Sequence, residues 1–514
     1  MLLIISNFVK QKQITNNPQA MNKNIHIVSE LQGILLEDNG NRAIKSILSV
    51  MKSLRIQDRT IGAVKNVNCK FTNRQILDLV VLFPMYLVKS IYDFTESSLS
   101  NVFGCGRDMF YRFMRNGNID WRKIVYSISR QLLHRIDKGT EAMDRILCLV
   151  IDDTDMTKSG RCFEFLGRIF SHVAHRSVFG MKALFLMLTD GKSQTLLDVS
   201  LHGEEGNNPS RPQGLTKKQR EQRYSKKRSA DEKVNNRIDE LFESKIKSAI
   251  RMIRRAMLVE GIRFRYLLVD SWFPCAELLK FIHSRHNGCD LLGMIKMGNT
   301  KYSTEYGELN ANKIIERLQK SGAVKFRRTI MYYTAACNAE FAGVKVKLFF
   351  YRKGKNGAWN ALITTDMGMN DVQAFHQYSW RWSIEVVNHE MKSMLRLGKC
   401  ECRDFASQIA ATSICMIQYN IMSYVKRFDS YETMGGLFAE VTKSTVELSL
   451  VERIWLMILE TISAIAEFTG ADTMSLLETL FRNSDKIKNL KRAVDKLCGD
   501  DDSLYDGVSL PASA

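Results

Sequence analysis

Proline is scarce, at six in 514 residues, while methionine is plentiful at twenty-four, a balance that fits a helix-rich intracellular chain. Zinc-ribbon spacing is missing as well. The eleven cysteines are an odd number and stand singly, apart from Cys400-x-Cys402. With no CxxC pair they read as reduced thiols used for packing in a cytoplasmic protein. No stretch of eighteen apolar residues occurs, which excludes a membrane-spanning helix. The opening MLLII is too short for the apolar part of a signal peptide and has no basic leader. Acid is in deficit: 55 Asp and Glu stand against 74 Lys and Arg, for a net charge of +19. That excess points to a polyanionic partner, and the phosphate backbone of nucleic acid is the obvious one. The apolar share, 45%, is that of a globular protein with room for two to four domains.

Residues 1–30 are polar and weakly patterned and read as a frayed N-terminus. From 31 to 140 the spacing is helical throughout, as in FTNRQILDLVVLFPMYLVKSIYDF (71–94), with Thr72 or Asn73 as its cap. SLSNVFGCGRDMFYRFMRNGNIDW reads as helix, glycine turn, helix, with Arg107, Arg112 and Arg115 on the second helix. A DNA-binding helix-turn-helix and a plain helical bundle are both compatible with it. At 146 the texture changes. ILCLVI (146–151) is a continuous apolar run suited to a strand buried on both faces. KALFLMLTD (182–190) and QTLLDVSLH (194–202) flank Gly191-Lys192-Ser193 as a hairpin. Residues 203–233 form a basic insertion, read as either a solvated loop or a contact to DNA phosphates. A helix over 232–259 leads to FRYLLVD (264–270), a second buried strand, then a helix over 274–284 and a strand over 289–297. Period-two alternation, as in VKVKLFFYR, marks 298–370 as a strand-rich insertion. A single helix is expected over 371–397, stopped at Gly398, with helices continuing to about 498 and a loose tail over 499–514.

Three acidic positions draw attention. Asp152 follows the apolar run in LCLVIDDTDM, and Asp270 ends the other strand in YLLVDSWF. Active sites of open sheets gather at strand ends, where side chains leave the core. The third is Glu385, in YSWRWSIEVVNHEMKSMLRLG (378–398). On a helical wheel Tyr378, Arg381, Glu385 and Lys392 share a stripe about 60° wide. An Arg381–Glu385 pair on an exposed helix would give the same pattern, but Trp380 and Trp382 bracket the arginine, as aromatics do on surfaces that meet nucleic acid. Together Asp152, Asp270 and Glu385 make a hard oxygen ligand set for two Mg²⁺ ions, and Arg381 and Lys392 would supply positive charge for phosphoryl transfer. Asp152 is preferred as first ligand because it sits at the strand exit. A strand one residue longer would put Asp153 there instead. His389 and Arg396 fall near the same stripe as weaker candidates for DNA contact.

The spacing Tyr378-x2-Arg381-x3-Glu385-x6-Lys392, with VIDDT and LLVDSWF upstream and a β-rich insertion between, resembles the Tyr-Arg-Glu-Lys signature of bacterial insertion-sequence transposases of the IS-four group. The resemblance spans roughly 140–425. It implies an α/β, ribonuclease-H-like mixed sheet flanked by helices, interrupted by a β-strand insertion, with helical N- and C-terminal regions. The implied layout is a DNA-binding domain over 31–140, a catalytic core over 141–297 and 371–425, the insertion over 298–370 and a C-terminal helical region over 426–498. It further implies a DDE enzyme that binds terminal inverted repeats and moves its element by cut and paste through a hairpin, using two Mg²⁺ ions with Mn²⁺ as a substitute. The implied metal ligands are Asp152, Asp270 and Glu385. Tyr378, Arg381 and Lys392 would hold phosphates, and Trp272 or a tryptophan of the 380–382 pair would stack on a flipped base. Partners would be double-stranded element ends and target DNA, with two protomers bridging two ends in a bacterial, nucleoid-associated setting. Two rivals share these residues in part: a nuclease of the same fold that does not join strands, and a non-catalytic DNA-binding regulator.

Overall fold

The computed structural model describes residues 42–62, 70–95, 100, 105–139, 145–160, 162–171, 174–204, 226–284, 289–429 and 431–442. Helices open the chain: α1 (Arg42–Ser53), α2 (Asp58–Ile61), α3 (Asn73–Leu82), α4 (Ile91–Phe94), α5 (Arg107–Met114) and α6 (Trp121–Gly139). Thr72 caps α3 in a reciprocal box with Gln75. The expected helix over 71–94 is not continuous. Pro84 stands in a short 3₁₀ turn, Leu87 turns with φ 56°, and α4 follows, because proline cannot donate within a continuing helix. Of the helix, glycine turn and helix read from Ser98 onward, the second helix is present as α5, while 98–99 and 101–104 lie outside the described residues.

The strands are β1 (Cys148–Thr157), β2 (Gly167–Ser171), β3 (Arg176–Thr189), β4 (Gln194–His202), β5 (Tyr266–Val269), β6 (Asp290–Ile295), β7 (Lys301–Thr304), β8 (Gly307–Asn310), β9 (Lys325–Arg327), β10 (Tyr332–Phe341), β11 (Val344–Arg352) and β12 (Asn360–Thr364). Between them lie α7 (Val234–Glu240), α8 (Lys245–Leu258), α9 (Ala276–His283) and α10 (Ala311–Lys320), and after them α11 (Asp371–Ser379), α12 (Trp382–Ser393) and α13 (Phe405–Phe428). Among the described residues all twelve strands join one mixed sheet. At its centre β4, β3 and β1 are antiparallel neighbours, and β5 and β6 add in parallel to β1. This is the mixed arrangement that a ribonuclease-H-like core requires. The strands of 298–370 extend the same sheet, since β12 pairs with β6 and β11, β10 and β9 follow.

The sheet divides the core in two, and strand parity assigns each side chain to a face. Cys148, Val150 and Met156 of β1 join one apolar cluster with the N-terminal helices and α13. Leu149 and Ile151 join the other, with α8, α9 and α10. Both faces are covered, which is why the run 148–151 is apolar without alternation.

Two more expected helices are broken. The helix over 232–259 is α7 and α8, and Ser244 caps the second by accepting from the Lys247 N–H. The helix over 371–397 is α11 and α12, joined through tightened turns in which Arg381 donates to Tyr378 O (3.0 Å) and Ile384 to Arg381 O (3.2 Å). It ends at Ser393, and Arg396 takes the left-handed conformation (φ 59°) before Gly398 does (φ 81°). Among the described residues no helix is long and apolar enough to cross a membrane. Of the expected C-terminal helices, 443–498 lie outside the described residues, as does the tail.

Candidate active site

Asp152 and Asp270 are brought side by side by register. The parallel ladder of β1 and β5 ends on Ile151 opposite Val269, and each aspartate is the next residue. The physical reason differs from the expected one. β1 does not end at Asp152 but runs on to Thr157, paired with β3 throughout. What ends is its neighbour β5, and that opens space beside Asp152. Parity then separates the two candidate first acids. Asp152 shares a face with Val150 and Met156, under α12, whereas Asp153 faces the opposite side, under α8.

The Asp153 side is already neutralised. Its carboxylate takes an ion pair of 2.5 Å from Lys245, in the first turn of α8, and lies 3.8 Å from Lys182. Lys182, nearly buried, also meets Asp155 (3.0 Å) and Glu204 (3.5 Å). These lysines hold the Asp153 carboxyl below its ordinary pKa in spite of burial. Neither lysine was singled out from the sequence. The available signal for Lys182 was its place at the head of an apolar strand. For Lys245 it was a cation at a helix N-terminus, which opposes the helix dipole.

The Asp152 side is under-neutralised. Burial, then the negative charges of Asp153 and Asp270, push the Asp152 carboxyl up to about 7, and Arg381 counters only part of this. Arg381 Nη1 lies 3.9 Å from Asp152 and its Nη2 bonds Glu385 at 2.5 Å, so one guanidinium links the two carboxylates. Its plane also lies over the Tyr378 ring, 5.8 Å from the centroid. Burial raises the Tyr378 hydroxyl to about 12, with Arg381 opposing and Asp270 and Asp152 adding to the rise. Lys392 donates to Thr154 Oγ1 at 2.6 Å, two residues beyond Asp152 on the same face. Burial lowers the pKa of its ammonium. Arg381 and Lys392 therefore reach β1, and Glu385 and Tyr378 gather on Arg381, even though the helix is broken between them.

Trp272 is 49% exposed, anchored by its backbone N–H to Asp270 Oδ1 (3.0 Å), with Lys245 Nζ 5.2 Å above its ring. Trp380 instead packs over the β3–β4 turn, where a Cβ on Gly191 would come within 2.9 Å of it. Trp382 stays 61% exposed. His389 and Arg396 are both exposed. Lys158 anchors the 398–400 loop to the end of β1 through Gly398 O (2.7 Å) and Cys400 O (2.8 Å). The described end of the basic insertion serves the fold. Arg228 pairs with the buried Glu164 and with Asp404, and Lys226 with Asp404, while 205–225 lies outside the described residues.

Among the described residues no three His, Cys, Asp or Glu side chains are grouped closely enough to hold a metal ion. The donor chemistry nonetheless fits a hard cation at the aspartate pair. Two neighbouring carboxylates, one of them with its pKa raised by burial, by Asp153 and by the other, are what a divalent cation relieves. Glu385 is held by Arg381 and does not complete a three-acid group with the pair.

Comparison with known proteins gives first a class. Residues 88–291 match the family described as DDE superfamily endonuclease. The matched span contains Asp152, Asp270 and Trp272 and stops short of α11 and α12. Among solved structures the chain is similar to a piggyBac transposase synaptic complex with hairpin DNA, determined by cryo-EM. The identity is 14%, over 84% of this chain and 83% of that one, with a TM-score of 0.39. That likeness is too loose for residue-by-residue correspondence. No curated protein matches the chain.

Proposed function

We propose that this chain is a DNA transposase of the IS-four type, which nicks the terminal inverted repeats of its element, passes through a hairpin and joins the freed ends to target DNA. The observation that carries the reading is the juxtaposition of Asp152 and Asp270 on parallel strands, facing a helix whose Arg381 reaches both Asp152 and Glu385. Asp152, Asp270 and Glu385 would hold Mg²⁺, with Mn²⁺ as a substitute. Two such ions supply activation of an attacking hydroxyl and stabilisation of the leaving oxygen. The chain's own part is positioning and charge. Arg381, against Asp152 and Glu385, and Lys392, bonded to Thr154, are the cations that would take phosphate oxygens. When Arg381 turns to a phosphate it frees Glu385 to join the aspartates. Tyr378, with its raised pKa, stays protonated at neutral pH and serves as a hydrogen-bond donor. Trp272 or Trp382, both exposed, offers a stacking surface for an extruded base. Two protomers acting on two ends complete the scheme, in a bacterial cytoplasm.

The test is cleavage and strand transfer on a plasmid carrying the element's ends, with Mg²⁺ and the full chain. Joined products support the reading. Cleavage without joining would favour a plain endonuclease, the rival supported by the matched family's description. End binding with no cleavage under any divalent cation would leave only the regulator.

A further inference from the structure

Four side chains far from the stripe form a row across the extended part of the sheet. Register sets Phe326 of β9 opposite Tyr333 of β10, and Tyr333 opposite Arg352 of β11. Continuing the β11–β12 register by one residue from Tyr351 opposite Asn360 sets Arg352 against Trp359. Directly opposed residues share a face, so the four make a single line about 14 Å long, at the spacing of strands. The contacts agree. Phe326 and Tyr333 have ring centroids 5.0 Å apart, and the Arg352 guanidinium lies 5.5 Å from the Tyr333 ring and 4.6 Å from the Trp359 ring.

Arg352 is the informative member. Its Nε is buried without a hydrogen-bond partner, and it forms no ion pair among the described residues. Arg327 on β9 behaves otherwise and bonds Asp371 at 2.6 Å. An arginine set between two aromatic rings, with no carboxylate, keeps its charge available to an anion. The surroundings are one-signed. Stretches 325–333 and 351–359 hold Lys325, Arg327, Arg328, Arg352, Lys353 and Lys355 and no Asp or Glu. Phe326 is 44% exposed.

Position in the sheet sets the row toward the strand ends at which the aspartates lie. β5 and β6 run parallel, and β6 pairs with β12, so Trp359 lies beyond the same end of β6 at which Asp270 leaves β5. Parity puts the row on the face of α8, where Lys245 covers Trp272. That face is the opposite of the one that Asp152 and Asp270 share, so the row is a surface separate from the site that lies toward the same strand ends.

We infer that Phe326, Tyr333, Arg352 and Trp359 form a binding row for single-stranded DNA, in which bases stack on the rings and Arg352 takes a phosphate. The choice of DNA rests on the proposed function; the row itself does not depend on catalysis. The test uses the full chain carrying Asp152→Asn, which prevents cutting, and a fluorescent oligothymidine read by anisotropy at two salt concentrations. Arg352→Met and Phe326→Ala are each expected to weaken single-strand binding about tenfold, in the range of one stacked base. Arg352→Met should also lower the salt slope by about one, and binding to blunt duplex should change less than threefold. Phe326 is exposed, so its variant keeps the fold, and unchanged thermal unfolding verifies this. Unchanged single-strand affinity in both variants would overturn the inference, and so would equal losses for duplex and single strand. If the chain with Asp152 intact fails to cut element ends but the row variants lose single-strand binding, the catalytic reading falls and the row stands.

Discussion

The two faces of β1 carry the same residue type and use it oppositely. On one, Asp153 and Asp155 are matched by Lys182 and Lys245, and the charges are satisfied within the fold. On the other, Asp152 stands beside Asp270, with an arginine that it shares with Glu385 3.9 Å away, and its carboxyl is driven up to about 7. A carboxylate that the fold has neutralised is structural. One left short of positive charge is available to a cation or a proton, and perturbed groups of that kind concentrate at functional sites.

The comparison can be broken in several ways, taken from the largest expected effect. Asp152→Asn or Asp270→Asn should reduce strand cleavage to background, a loss of roughly 10³-fold or more, with element-end binding unchanged in a mobility-shift assay. Glu385→Ala should do the same. Cleavage near the parent rate in any of these would remove that acid from the site. Lys182→Met should act on the fold instead. It strands Asp153, Asp155 and Glu204 without their buried cation, and about 3–5 kcal/mol of stability should be lost in chemical denaturation. A neutral result would mean that the α8 face is not the structural one.

The pH response should separate the faces further. In chelator, the Asp152 proton is bound more tightly in the folded chain than in the unfolded one. The stability this gives is fully present below the ordinary carboxylate pKa and is lost as pH rises from about 4 to about 7. Asp152→Asn should therefore be the more stable protein at pH 7.5, by on the order of 3 kcal/mol, with little difference at pH 4.5. Parallel melting curves for the two proteins across that range would contradict the assigned charge imbalance. The smallest expected effect is that of Thr154→Val. Losing the Lys392 hydrogen bond should cost about 1 kcal/mol and slow cleavage severalfold, and a larger loss of end binding than of cleavage would show that Lys392 acts elsewhere.

Much of this was legible in the residues. The apolar runs at 148–151 and 266–269 announced strands buried on both faces, and the hairpin at 191–193 showed itself by its glycine. The mixed sheet flanked by helices followed from the order of these patterns. Helix continuity was less legible. Pro84 stood in plain view inside an apolar helical pattern, and the breaks at 241–244 and 380–381 are set by packing rather than by a strong local breaker. The basic insertion misled where it joins the fold, because a run of lysine and arginine looks the same whether its members meet phosphates or, like Arg228, a buried Glu164.

By itself the sequence determined the element types, the net positive charge and the short set of acids worth testing, because periodicity, composition and spacing are local properties. Only the tertiary structure decided which acid of VIDDTD faces its partner, since that choice depends on where β5 stops alongside β1 and on the parity of a strand that runs on to Thr157. It alone brought Lys245 to Asp153 and aligned Phe326, Tyr333, Arg352 and Trp359. Those pairings join distant segments through sheet register, which hydrogen-bonded neighbours fix and no single segment encodes.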